Sequence, residues 1–145
     1  MGKKYPIQNR KSDALIIHCV DHRFQEAFEK FIAEELKIAV YNPIVIAGGA
    51  LALASDHFAK FGYIWDQIEF FIGDRGINRV ILINHEDCAW YGFEHPDFKP
   101  GELKDRGRTD LSDAVANIRD KFPRVEVICF WAELSGESII FHKIN

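Results

Sequence analysis

Ala14-Leu15-Ile16-Ile17-His18-Cys19-Val20 is an apolar run that ends at Asp21-His22-Arg23, and Phe24, Phe28, Phe31, Ile32 and Leu36 follow it at near-helical spacing. The run reads as a strand. The segment from about Phe24 to Lys37 reads as a helix whose apolar stripe covers a sheet. The same alternation recurs downstream. A second strand is expected over about Ile44 to Ala47, ending at Gly48-Gly49, and a third over Arg79 to Asn84. Between them Leu51, Leu53, Phe58, Ile64, Ile68, Phe71 and Ile72 suggest two helices broken near Gly62, with a turn at Gly73-Asp74-Arg75-Gly76. After His85-Glu86-Asp87-Cys88, a polar loop carrying Pro96, Pro100, Gly101 and Gly107 leads to a helix beginning near Thr109. Its face is Leu111, Ala114, Val115, Ile118 and Phe122, and Pro123 stops it. A fourth strand is expected over about Val125 to Trp131, and Ser138 to His142 reads as a short edge strand. Strands alternating with helices point to right-handed crossovers around a parallel sheet. The expected fold is therefore α/β: a mostly parallel sheet of about four strands with flanking helices and a short edge strand.

Length and composition agree with one folded unit. The chain has 145 residues, 48% of them hydrophobic and 28% charged, and a formal net charge of -4. One α/β domain over residues 1–145 is expected, with residues 1–12 as a polar tail. The acidic balance argues against a general nucleic-acid surface, and the short basic stretch from Lys3-Lys4 to Arg10-Lys11 has Tyr5 as its one stacking aromatic. Lys3 and Lys4 lead into Tyr5-Pro6-Ile7-Gln8 rather than an apolar core, and no apolar run approaches the roughly 20 residues that cross a bilayer. Three cysteines form no disulfide framework, so reduced thiols and a cytoplasmic location are expected, with no nucleic acid and no membrane as partners.

Two polar clusters close apolar runs. Cys19-Val20-Asp21-His22-Arg23 follows the first strand, and His85-Glu86-Asp87-Cys88 follows the third. Open parallel sheets bind ligands at the carboxyl ends of their strands, where Cys19, Gly48 and His85 all fall. Two thiolates and an imidazole suit zinc. Three protein ligands leave a fourth position for water, the arrangement of a catalytic rather than a structural site. The i, i+3 spacing of His85 and Cys88 lets both hold one ion from a strand-to-helix turn, with Cys19 closing the site from the neighbouring strand end. Zinc lowers the pKa of a bound water towards about 7, and two thiolates should acidify it less than imidazoles would, so activity should rise on the alkaline side. In an extended exit Cys19, Asp21 and Arg23 face one side and Val20 and His22 the other. Asp21 could then orient the bound water while Arg23 restrains the carboxylate. The competing reading of Asp21 and Arg23 is an ordinary surface ion pair.

Cys-x-Asp-x-Arg after the first strand and His-x-x-Cys after a later one resemble the β-class carbonic anhydrases, over roughly residues 14 to 131. The resemblance implies a β-carbonic-anhydrase-like fold and reversible hydration of carbon dioxide to bicarbonate. It implies zinc held by Cys19, His85 and Cys88, with Asp21 and Arg23 as the catalytic pair. It also implies a homodimer or higher even oligomer with sites near the subunit interface. The chain departs from the family pattern at Asn84 and Ala89, where Gly is usual, and at Glu86, where a small hydroxyl residue is frequent. Of the family's Arg-Asn-Ala-Gly it keeps Ala47-Gly48. Hydrolases of carbonyl sulfide or carbon disulfide share this ligand set. A non-catalytic zinc-binding or sensing protein would keep it with the fourth position blocked.

Other candidates have plainer readings. The four-residue offset from Cys19 to Arg23 is too short for a phosphate-cradling thiol phosphatase loop, and Gly48-Gly49 lacks the rest of a dinucleotide fingerprint. Cys129 reads as a small core residue. His18 and His22 read as strand or turn residues on the face opposite Cys19, His95 as a solvent-exposed loop residue, and His57 and His142 carry no special claim. Trp90, Tyr91 and Phe93 fit a pocket wall, an interface or core packing equally well.

Overall fold

In the computed structural model, which describes residues 2–55 and 59–145, the sheet has five strands. These are β1 (Leu15–His18), β2 (Asn42–Val45), β3 (Arg79–His85), β4 (Glu126–Ser135) and β5 (Ser138–Lys143), in the order β2-β1-β3-β4-β5. The first four are mutually parallel, and β5 returns antiparallel to β4 through a tight turn in which Gly136 adopts φ +61°. The expected α/β architecture is observed, with β5 as the edge strand.

Side-chain alternation along the inner strands builds two apolar layers. On one face Ala14, Ile16, Ile81, Ile83 and Phe130 meet Phe24, Phe28, Phe31 and Ile32, the last three on α1 (Gln25–Glu34). On the other, Leu15, Ile17, Leu82, Val127 and Cys129 meet α2 (Gly62–Glu69) through Trp65 and Ile68. They also meet α4 (Pro100–Lys121) through Leu111, Ala114, Val115 and Ile118. The stripe read from the sequence therefore does cover the sheet. α1 ends earlier than Lys37 because Lys37 adopts φ +57°, and Leu36 and Ile38 bond back to the carbonyls of Phe31 and Ile32.

Other boundaries differ from the sequence-based expectation too: β1 stops at His18 rather than Val20, and β4 runs on to Ser135 rather than ending near Trp131. β2 lies two residues earlier, with Pro43 on a sheet edge where a missing N–H costs least. The segment after Gly48-Gly49 begins as a short 3-10 turn, Gly49–Leu53, and α2 runs on into a π-helical turn at Phe70–Asp74; Phe58 lies outside the described residues. The largest difference is α4, which starts at Pro100 rather than near Thr109. Pro100 occupies the first helical turn, where its missing N–H is harmless, and the Lys99 backbone N–H donates to Glu102 Oε1 at 3.2 Å. A further short helix, α3 (Ala89–Glu94), follows Cys88 directly.

Candidate metal centre

β1 and β3 are adjacent and parallel, so their carboxyl ends deliver Cys19 and His85 to the same edge of the sheet. Cys88 arrives at the start of α3. The structure thereby gathers Cys19 Sγ, Cys88 Sγ and one ring nitrogen of His85 within 4.8 Å of one another. The two sulfurs are 3.8 Å apart, and all three residues are buried.

The imidazole is prepared to bind through one particular atom. His85 Nδ1 lies 2.7 Å from the Glu86 carbonyl oxygen, which can only accept, so the proton sits on Nδ1 and the lone pair on Nε2. Nε2 is buried and, among the described residues, has no hydrogen-bond partner; Asp21 Oδ2 lies 3.9 Å away. An unpartnered buried nitrogen beside two thiols is costly in the bare protein and is what a thiophilic cation would satisfy. The donor set fits a metal ion. The thiols are not equivalent: the Cys88 thiol hydrogen bond holds Cys19 below the usual thiol range, and desolvation opposes it. The His85 ring and the Gly48 and Asp21 backbone N–H groups lower it further. The same contact pushes Cys88 up. One thiolate is thus prepared before any ion arrives.

Beside this cluster lies the pair from the first motif. Asp21 is nearly buried and accepts from Arg23 Nη2 at 2.8 Å, Arg23 Nε at 3.1 Å and the Arg23 backbone N–H at 2.9 Å. Those bonds hold its carboxyl at about 2, against a smaller opposing cost of burial, so it is ionised at neutral pH. Val20 and His22 are exposed, but the extended alternation does not hold. β1 ends at His18, the chain turns so that the Phe24 N–H donates to the Asp21 carbonyl at 3.2 Å, and Val20 and His22 line the same groove as Cys19, Asp21 and Arg23. Gln25 secures the exit loop by donating Nε2 to the carbonyls of Cys19 and Asp21. The two motifs are also tied to each other. Arg23 Nη1 contacts Asp87 Oδ2 at 3.1 Å, and Nη2 donates to the Asp87 carbonyl at 3.0 Å. Asp87, missed in the sequence reading, adopts φ +58°, and nothing in its local sequence marks it as a partner for Arg23.

A groove of about 580 Å³ opens on this side, walled by Val20, Asp21, Arg23, Ala47, Ala89 and Trp90. A smaller cavity of about 160 Å³ shares Asp87 and Cys88 with it and is closed by Tyr91, Leu103 and Trp131. Gly48, at φ +84°, brings the chain so close to Trp90 that a Cβ would sit 2.8 Å from its Cδ1. Trp90 stacks on the exposed Phe93 at 5.0 Å, whereas Tyr91 is buried. Cys129 lies in the core as expected, and His18 packs on Phe28 on the face opposite Cys19. His95 differs from expectation: it caps α3 and stacks on Phe98 at 4.6 Å instead of standing in solvent.

The fold, the strand-end site and the Cys-His-Cys donor set define a protein of the β-carbonic anhydrase type. The comparisons agree: residues 9–141 match the model of the family described as "Putative carbonic anhydrase", and the chain belongs to that family as a divergent member. An uncharacterized protein of Rickettsia bellii is 25% identical over 130 residues, which span 87% of this chain and 79% of that protein. Among solved structures, β-carbonic anhydrase isoform I of Trichomonas vaginalis superposes with a TM-score of 0.60 at 12% identity. That alignment covers 98% of this chain and 87% of the other. A tetrameric β-carbonic anhydrase of Sordaria macrospora gives 0.56 at 11% identity, covering 92% and 81%. At these identities the likeness concerns the fold alone. Among the described residues, no helix is long and apolar enough to cross a membrane.

Proposed function

We propose that the protein is a zinc lyase that reversibly hydrates carbon dioxide to bicarbonate and a proton. One observation carries the reading. His85 Nε2, without a hydrogen-bond partner among the described residues, and the two thiols converge beside an ionised, arginine-held carboxylate, and Cys19, Cys88 and Asp21 line an open groove. Cys19, His85 and Cys88 would hold the zinc. Bound there, zinc supplies Lewis acidity that brings the ionisation of a water down from 15.7 towards about 7.

The chain's own groups do the rest. Asp21, ionised and facing the cluster, accepts a hydrogen bond from the attacking water and so fixes the direction of its free lone pair. Arg23 keeps the carboxylate in that role: four bonds to Asp21, with Arg23 itself fixed by two to Asp87, hold it back from becoming a fourth ligand. Val20, Ala47 and Ala89 offer an apolar wall to a linear, uncharged substrate, and the groove gives bicarbonate and its proton a way out. Two cysteines bound as thiolates would let zinc acidify water less than a set of imidazoles would, so activity is expected to rise on the alkaline side of neutrality.

The same reading has the chain act in the cytoplasm, where its thiols stay reduced, and as a homodimer or larger even oligomer. Exposed Val20 and Phe93 near the groove and the tetrameric Sordaria relative support the assembly. Asp21→Ala separates the roles: it should retain stoichiometric zinc and lose at least about 10²-fold in turnover, the lower end for a positioned proton-handling group. Metal analysis and stopped-flow hydration on the same sample check this, and full turnover in the variant would remove Asp21 from the mechanism.

A further inference from the structure

The residue immediately before His85 is a fully engaged buried amide. Asn84 is 2% exposed. Its Oδ1 accepts the Ala50 backbone N–H at 2.9 Å, and its Nδ2 donates to Tyr91 Oη at 3.0 Å and to the Gly107 carbonyl at 2.9 Å. Tyr91 Oη donates to Asp110 Oδ2 at 2.8 Å, and Arg106 Nε donates to Asp110 Oδ1 at 3.0 Å. Such a chain of buried polar groups is favourable only when every member is satisfied, and then it holds its attached elements in one arrangement.

Those elements are the ones that carry the donor atoms. Ala50 sits in the 3-10 turn, and two residues earlier Gly48 donates its N–H to Cys19 Sγ at 3.4 Å. The turn lies hard against this amide: a Cβ on Gly49 would stand 2.8 Å from Asn84 Oδ1 and 3.4 Å from the Cys19 backbone nitrogen. Tyr91 sits in the first turn of α3, three residues after Cys88. Asn84 is therefore linked to the Cys19 sulfur through the turn, to Cys88 through α3, and to His85 through one peptide bond. We propose that Asn84, acting with Tyr91, is a positioning residue of the metal centre, setting the separation of Cys19 and Cys88 and through it the affinity and geometry of the bound ion. This rests on the assignment of Cys19, His85 and Cys88 as metal ligands.

The test measures zinc affinity by competition with a chromophoric chelator, and the visible spectrum of the Co²⁺-loaded protein, in the wild type, Asn84→Ala and Tyr91→Phe. Ile118→Ala, in the core of α4, is the stability-matched control. Loss of a group that orients metal ligands typically weakens binding about 10- to 100-fold, and that loss with a changed Co²⁺ spectrum is expected for both site variants. Ile118→Ala should lower the unfolding midpoint as much and leave affinity and spectrum as in the wild type. If Asn84→Ala does not fold, Tyr91→Phe, which removes a single oxygen, decides. Wild-type affinity and spectrum in a folded Asn84→Ala or in Tyr91→Phe would overturn the positioning role while leaving the metal centre intact. A wild type that takes up neither Zn²⁺ nor Co²⁺ would overturn the ligand assignment and this inference together.

Discussion

Gly107 shows how a single position can mislead a reading of sequence. A glycine within a polar, charged stretch reads as loop, yet Gly107 is inside α4, where a Cβ would meet Trp131 Cζ3 at 2.8 Å and Cη2 at 3.1 Å. In an open helix Ala in place of Gly would stabilise by roughly 0.5–1 kcal/mol. Here the indole cannot yield without disturbing the core, so Gly107→Ala should instead destabilise by about 1–3 kcal/mol, read as a lower urea midpoint. A raised midpoint would mean that Trp131 moves freely. Cys129 carries a different prediction. Burial pushes its thiol from 9.0 to about 11. The folded state thus favours the protonated form, and the contribution to stability is fully present below pH 9 and is lost as pH rises through about 11. Denaturant midpoints should fall across that window in the wild type and more shallowly in Cys129→Ala. Parallel curves would show that Cys129 ionises equally well folded and unfolded.

Elements were legible where packing imposes a period. Phe24, Phe28, Phe31 and Ile32 announce α1 because one helical face must meet the sheet, and the structure buries all four. Phe28 is fully buried, 4.5 Å from the His18 ring and 6.1 Å from Phe141 on β5, so Phe28→Ala should cost about 3–5 kcal/mol in chemical denaturation. A loss below about 1 kcal/mol would mean that the α1 face collapses around the gap. The amino-terminal half of α4 was illegible for a physical reason. Pro100, Gly101 and Gly107 are loop residues by propensity, and the charges between them show no apolar stripe. That half of the helix is held instead by a helix-start proline, the Lys99–Glu102 contact and the fit of Gly107 against Trp131. α3 is too short to show a period, and it forms because Tyr91 reaches Asn84 and Asp110.

At the scale of the whole molecule, the parallel pairing of β1 with β3 turns two short motifs 66 residues apart (Cys19 to His85) into one site. That convergence could be read from sequence because strand ends are where open α/β sheets place their chemistry. The ties that hold the site were not readable: Arg23 to Asp87, Gln25 to the exit loop, and Asn84 to turn and helix all depend on side chains meeting across elements. The fold itself is shared with the Trichomonas β-carbonic anhydrase at 12% identity. The most direct test of the account is stopped-flow hydration of carbon dioxide by protein of measured zinc content, scanned from about pH 7 to 9, where a zinc-activated water ionises. A rate that scales with zinc occupancy and rises with pH is the predicted result; no rate above buffer across that range, with zinc fully loaded on the protein, would contradict it.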